Sequence, residues 1–240
     1  MKLSVCIPMY NEAAIAKDAA LTFSRACDEV AGGDGEVIFC DDGSTDGCGD
    51  IIRGLGLHNV RVVGYEHNRG KGCAVRTAVM EAKGDILVCT DCDNAYGTDK
   101  IAEAVANLDA DRNAEIVIGS RILDRYGYEG YTWWRRLMSR TYILVLKLAA
   151  GFRHSDSQCG FKAWRRDAAR ASFSLCETDG WAFDIEVIMI AEKFGFRVRE
   201  MPVRIINHRE SKVNPVRDTL RMLRDLKKIK KHVKSLFGTK

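Results

Sequence analysis

The sequence predicts an α/β fold: a mostly parallel sheet with helices on both faces. Three observations predict it. Apolar runs of four to six residues recur through the first half, and helical spacing follows each. Acidic or glycine-containing turns close several of those runs, as at Asp41-Asp42-Gly43 and Asp91-Cys92-Asp93. Only 3 prolines stand against 21 glycines, which suits long regular elements joined by glycine-dependent turns.

In chain order, residues 3–7 form the first β-rich run and residues 12–30 carry helical apolar spacing. Residues 36–40 are a second strand, and 46–55 a short helix. Residues 60–65 are a third strand, followed by an alanine-rich helix over 72–82. Residues 85–90 are a fourth strand, Thr98 is an N-cap for a helix to Leu108, and 115–119 are a fifth strand. Strands alternating with helices make βαβ units, and right-handed crossovers set helices on both faces. After Arg121 the pattern changes: 125–132 read as loop, 133–150 as helix, and 155–161 as polar and irregular. Residues 180–194 are helical and 197–205 extended. Residues 216–237 form an amphipathic helix, with Val216, Leu220, Leu223, Leu226, Ile229, Val233 and Leu236 every three or four positions.

With 46% hydrophobic and 29% charged residues, the 240-residue chain is an ordinary globular protein, which excludes disorder, collagen and coiled-coil rods. The net charge of +4 is unevenly placed: residues 215–240 hold nine Lys/Arg and two Asp/Glu, so 1–214 carry −3. The expected organisation is one domain over 1–214 and a basic amphipathic helix over 215–240. A basic tail points to an anionic partner, a membrane surface or nucleic acid. No stretch reaches the ~20 apolar residues of a transmembrane helix, and the first apolar run stops at Pro8, too short for a signal peptide. A cytoplasmic location follows. The cysteine count of 9 is odd and scattered, so the thiols are read as reduced. Cys89-x-x-Cys92 has no second pair for zinc and is read as two small hydrophobes.

The chemistry gathers at strand ends. Ligands of open α/β sheets bind outside the carboxyl ends of the strands. Asp41-Asp42, Asp91/Asp93 and, more weakly, Asp124 would bring carboxylates there. Mg²⁺ and Mn²⁺ prefer oxygen ligands, and such an ion would neutralise a diphosphate leaving group. Neither a P-loop nor a dinucleotide fingerprint occurs. Instead Pro8-Met9-Tyr10-Asn11-Glu12 offers an aromatic face, an amide and a carboxylate, suited to a base and ribose. Arg69-Gly70-Lys71-Gly72 sets Lys71 before a helix, where it can meet a phosphate.

Together with Asn68-Arg69-Gly70-Lys71-Gly72, Asp41 to Gly47 (DDGSTDG) and Gly119-Ser120-Arg121, these segments resemble the inverting family 2 glycosyltransferases, whose fold is GT-A, a nucleotide-sugar-binding mixed sheet flanked by helices. The pieces Asp156 to Lys162 (DSQCGFK), Gly180 to Glu186 (GWAFDIE) and Ser211-Lys212 are similar to polyprenyl-phosphate sugar synthases, the dolichyl-phosphate glucose and mannose enzymes and their bacterial relatives. Asp91-Cys92-Asp93-Asn94-Ala95-Tyr96 looks closer to the glucosyl enzymes; mannosyl enzymes often carry Gln where Ala95 stands.

The resemblance implies a hexose transfer, UDP-glucose favoured over GDP-mannose, to polyprenyl or dolichyl phosphate at the cytoplasmic face of a membrane. By matched position, Pro8, Tyr10, Asn11, Glu12, Asp41 and Asp42 would hold the nucleoside, with Lys71, Gln158 and Lys212 on the diphosphate and sugar. Asp91 and Asp93 would hold Mg²⁺ or Mn²⁺, Asp93 as the main ligand. Arg121, Arg135 and Ser139 would bind the acceptor phosphate. A phosphate monoester is largely a dianion at pH 7 and is itself the nucleophile, so alignment and leaving-group stabilisation suffice. Asp184 or Glu186 would be a base if the acceptor were a saccharide or lipid hydroxyl. A non-catalytic nucleic-acid module is the reading from another class; the acidic crevice argues against it, so no nucleic-acid partner is expected.

Overall fold

Strands β1 (Leu3–Met9) and β2 (Gly35–Asp42) are buried along nearly their whole length, as central parallel strands covered on both faces must be. The computed structural model describes residues 1–127, 153–156, 158–207 and 215–238, with side chains of the last stretch from 224 onward. Helix α1 (Ala13–Ala31) follows β1 and stops at Gly32, whose φ of 62° is left-handed and whose N–H returns to the Asp28 carbonyl. Then come α2 (Cys48–Arg53), β3 (Val60–Tyr65), α3 (Lys71–Glu81), β4 (Ile86–Cys89), α4 (Asp99–Ala110) and β5 (Ile116–Ser120). Beyond residue 153 lie β6 (Lys162–Arg165), α5 (Arg166–Ser174), α6 (Phe183–Lys193), β7 (Val198–Pro202) and α7 (Pro215–Phe237).

The described strands form one sheet in the order β3-β2-β1-β4-β6-β5-β7. All pairings are parallel except those of β6, which runs antiparallel between β4 and β5. Side-chain alternation along β1 divides the core in two. Val5 and Ile7 pack with Ala16, Ala20 and Phe23 of α1 and with Ile101 and Leu108 of α4. Cys6 faces the other way, into the layer of α3, α5 and α6. All nine cysteines are free and buried, and Cys89 and Cys92 belong to opposite core layers.

Two features go beyond the sequence reading. The first is the pair β6 and α5, and with it the antiparallel reversal in the sheet. Lys162 and Arg165 put charges inside a four-residue strand, and α5 begins at the very next residue with no turn between. Lys162 is nevertheless buried, because Asp184 neutralises it at 2.5 Å. The second concerns the apolar stripe of the tail helix. Leu226, Ile229 and Val233 are at most 3% exposed and join the second core layer against α6. These three residues pack the helix on the domain while Leu236 stays exposed, and Arg224, Lys227, Lys228 and Lys231 face outward. Among the described residues no helix is long and apolar enough to cross a membrane.

Candidate functional site

The carboxyl ends of β1, β2 and β4 converge on one edge of the sheet. At the end of β1, Asn11 adopts φ 52°, a left-handed conformation that asparagine tolerates. This brings its N–H to Ser44 Oγ (3.0 Å) and its Oδ1 to the Thr45 N–H (2.9 Å). Asp41 Oδ1 accepts from the Ser44 N–H at 2.8 Å. Asp46 accepts from the Ala13 N–H at the start of α1 at 2.7 Å and from the Cys48 N–H at 3.1 Å. The β1 and β2 turns thus hold one another. Tyr10 is exposed beside them, while Glu12 stands at the N-cap of α1 without a side-chain capping bond.

Asp42 does something else. Its buried carboxylate accepts from the Tyr65 hydroxyl (2.6 Å), Asn68 Nδ2 (2.8 Å) and the Arg69 and Gly70 N–H groups (2.9 and 3.0 Å). Both oxygens are engaged in folding the 66–70 turn that presents Lys71. Gly43 makes room for that turn: its φ is 71°, and a Cβ there would lie 2.6 Å from the Asn68 nitrogen.

Lys71 opens α3 and reaches across to β4. Its Nζ lies 2.5 Å from Asp91 Oδ1 and 5.2 Å from the centroid of the exposed Trp181 ring. Burial acts to lower the ammonium pKa, but the carboxylates of Asp91, Asp184 and Asp93 outweigh it and hold the pKa above its ordinary value. Asp93 Oδ1 accepts from the Ala95 N–H at 3.1 Å, while Asn207 Nδ2 donates to the Asp93 carbonyl at 2.7 Å. Asp91 packs against Gly160, where no side chain fits. The donor set suits a hard divalent cation: two carboxylates in acid-x-acid spacing, already drawing a cation to them. Among the described residues no larger group of His, Cys, Asp or Glu gathers in a metal-holding arrangement.

Behind this crevice lies a second set of charges. Arg121 is gripped by Asp156: Nε to Oδ2 at 2.6 Å, the NH2 amino group to Oδ1 at 2.8 Å, and the Arg121 N–H to Oδ2 at 3.2 Å. The Gln158 N–H also reaches Asp156, at 3.4 Å. Burial acts to raise the Asp156 pKa, but Arg121 overcomes it and holds the carboxyl below its usual value. Lys162 Nζ bonds the Cys159 carbonyl (2.6 Å) and Asp184 Oδ1 (2.5 Å). Burial raises the Asp184 pKa, and Lys162 and Lys71 offset only part of that rise. Pro8, Lys71, Asp91, Lys162 and Asp184 line one cavity of about 10 Å³, room for about one water.

Glu186 is not in this crevice, which corrects its place as an alternative base. It is 1% exposed, and its Oε2 accepts from the N–H groups of Glu177 (3.1 Å) and Thr178 (2.7 Å). It staples the loop before α6. That loop in turn packs on α3, since the Gly72 N–H donates to the Asp179 carbonyl at 2.8 Å. Arg135, Ser139 and Lys212 lie outside the described residues.

Sequence reasoning misses Tyr65 and Asp179 as parts of the site's frame. Asp156, Lys162 and Trp181 are visible only inside longer motifs. Each acts through a partner distant in sequence; Lys162 and Asp184 are 22 positions apart.

Over most of its length the chain is similar to known proteins. The family model described as glycosyl transferase family 2 matches residues 4–173. A dolichyl-phosphate beta-glucosyltransferase of Drosophila melanogaster is 33% identical over 241 residues, covering 94% of this chain and 73% of that protein. A human protein of the same name is 30% identical, with 94% and 74% covered. Among solved structures, Mycobacterium tuberculosis glucosyl-3-phosphoglycerate synthase with Mn²⁺, UDP and glucosyl-3-phosphoglycerate superposes at a TM-score of 0.69, at 20% identity over 100% of this chain and 81% of that one. The same enzyme with Mg²⁺ and UDP gives 0.67, at 20% identity over 100% and 80%. These structures share the GT-A fold with this chain.

Proposed function

The chain belongs to glycosyl transferase family 2, and we propose that this glycosyltransferase moves glucose from UDP-glucose to a polyprenyl or dolichyl phosphate with inversion at C1. One observation carries the reading: Asn11, Asp41 and Asp91 stand at the carboxyl ends of β1, β2 and β4, and the turn that Asp42 folds presents Lys71 to Asp91. The names of the relatives supply the acceptor and the sugar, and the UDP in the structural neighbours supports the base.

In this reading Pro8, Tyr10, Asn11, Glu12 and Asp41 surround the nucleoside, and Asp42 acts by holding the turn. Asp91 and Asp93 would hold Mg²⁺ or Mn²⁺, which when bound neutralises charge on the departing diphosphate. Lys71, at the N-terminus of α3, faces the same anion. Lys212 and Gln158 complete the donor side, and Arg135 and Ser139 bind the acceptor phosphate.

Arg121 orients the acceptor side from within its clamp to Asp156. The acceptor dianion attacks C1 without a base, in keeping with the commitment of Asp184 to Lys162 and of Glu186 to its loop. Asp184 then positions Lys162. The outward basic residues of α7 make the contact with the cytoplasmic face of an anionic membrane, each adding about 1 kcal/mol near the surface.

The test crosses UDP-glucose and GDP-mannose with polyprenyl phosphate in anionic vesicles and in detergent, with Mg²⁺, Mn²⁺ or chelator. Metal-dependent formation of an inverted glucosyl lipid, lost in Asp93→Ala, is expected. Joint replacement of Arg224, Lys227, Lys228 and Lys231 by Glu should slow turnover in vesicles and spare it in detergent. Full activity of Asp93→Ala in chelator would overturn the metal assignment, and transfer to a free hydroxyl alone would overturn the acceptor.

A further inference from the structure

We propose that Lys71 is the resident counter-ion of the acidic crevice, and that it yields its place to a divalent cation only when a donor diphosphate arrives to receive its charge. This rests on the metal-assisted reading above and deepens it into an order of binding. The geometry begins with the 2.5 Å contact between Lys71 Nζ and Asp91 Oδ1. Asp91 is one of the two carboxylates offered to the metal, so the ammonium already stands where a cation would be drawn. Lys71 is 19% exposed and Asp91 26%, so water screens the contact only in part.

Charge sets the order. Asp91 and Asp93 against Lys71 leave one negative charge in the crevice, with Asp184 already paired to Lys162. A divalent ion entering beside Lys71 would turn that into one positive charge and set two cations on one carboxylate. A diphosphate entering with the ion restores the balance and gives the ammonium a new partner.

The side chain is built for such a move. Lysine is a point charge on a flexible four-carbon stem, unlike the planar fork of arginine. Its backbone is the first residue of α3, directly after the turn that Asp42 folds beside the crevice, so the travel is short. The Trp181 ring, 5.2 Å from Nζ, offers a cation–π surface along the way. The neighbouring charges differ: Lys162 and Arg121 are each held by two or more hydrogen bonds.

The experiment measures Mn²⁺ binding to the full chain by electron paramagnetic resonance, with and without UDP, for wild type, Lys71→Met, Lys71→Gln and Lys71→Arg. Without UDP, the Met and Gln variants should bind Mn²⁺ about tenfold more tightly than wild type, and the Arg variant should not. UDP should tighten Mn²⁺ binding strongly in wild type and far less in the two uncharged variants. A merely structural lysine would give no gain of metal affinity on its removal. Equal Mn²⁺ affinity without UDP in wild type and both uncharged variants would overturn the proposal while leaving the metal reading in place. Absence of Mn²⁺ binding to wild type with UDP present would overturn both.

Discussion

Two cation–carboxylate pairs flank the crevice, and they are built in opposite ways. Arg121 and Asp156 share two side-chain hydrogen bonds and a backbone N–H, with 14% and 1% exposure. Lys71 and Asp91 share one contact, with 19% and 26% exposure. The first is a rivet between β5 and the segment before β6. The second is a loose pair at the mouth of the site. At sequence level both cations read alike, as phosphate-binding groups. The difference lies in where their carboxylates are: Asp156 is walled in, whereas Asp91 stands where a ligand can reach it.

The largest effect should separate the two pairs by stability. Asp156→Ala leaves Arg121 buried without its counter-charge, and breaking a buried pair from one side costs about 3–5 kcal/mol. Lys71→Met removes a partly exposed pair and should cost under about 1 kcal/mol. Urea unfolding of both variants checks this. Comparable losses in the two would erase the distinction between rivet and loose pair.

A second comparison lies within the adjacent acids Asp41 and Asp42. Asp42 serves the turn and Asp41 accepts from Ser44. Asp42→Ala orphans the Arg69 and Gly70 N–H groups and the Tyr65 hydroxyl. Hydrogen bonds to charged groups are worth about 1.5–3 kcal/mol, so a stability loss of that order is expected, together with weaker UDP binding as Lys71 loses its platform. Asp41→Ala should weaken UDP binding with a smaller stability loss. Calorimetric UDP titration alongside urea unfolding resolves the two effects, and identical profiles would show that neither acid is specialised.

These contrasts mark where the sequence is legible. β1 to β4 are legible because their apolar runs are short, buried in β1, β2 and β4 and half-buried in β3, and acids fall at the ends of β2 and β4, which assigns Asp41, Lys71 and Asp91 to one crevice. Periodicity also located α7 and its stripe. It could not say whether that stripe meets lipid or protein, because Leu226, Ile229 and Val233 satisfy either surface. The pairings Arg121–Asp156 and Lys162–Asp184 are not legible, because they depend on β6 reversing direction between β4 and β5, and no local pattern encodes that. The part Asp42 plays in the turn is hidden by distance along the chain: its donors are Tyr65 and the turn after it, 23 to 28 residues away.

The smallest expected effect is a pH dependence of opposite sign at two buried carboxylates. Arg121 holds the folded pKa of Asp156 below 3.8, so the stability this group contributes is present above that value and falls away as pH drops through the lowered pKa. Burial puts the folded pKa of Asp184 above 3.8, despite Lys162. Its contribution is therefore full below 3.8 and is lost as pH rises through the raised pKa. Urea unfolding of wild type, Asp156→Asn and Asp184→Asn across acidic pH reads both, as the difference between wild type and each variant. For Asp184→Asn that difference should decline as pH rises from 3.8; for Asp156→Asn it should decline as pH falls below 3.8. Same-signed slopes would mean that Lys162 ionises Asp184 as fully as Arg121 ionises Asp156, and the two buried pairs behind the crevice would then be fixed alike.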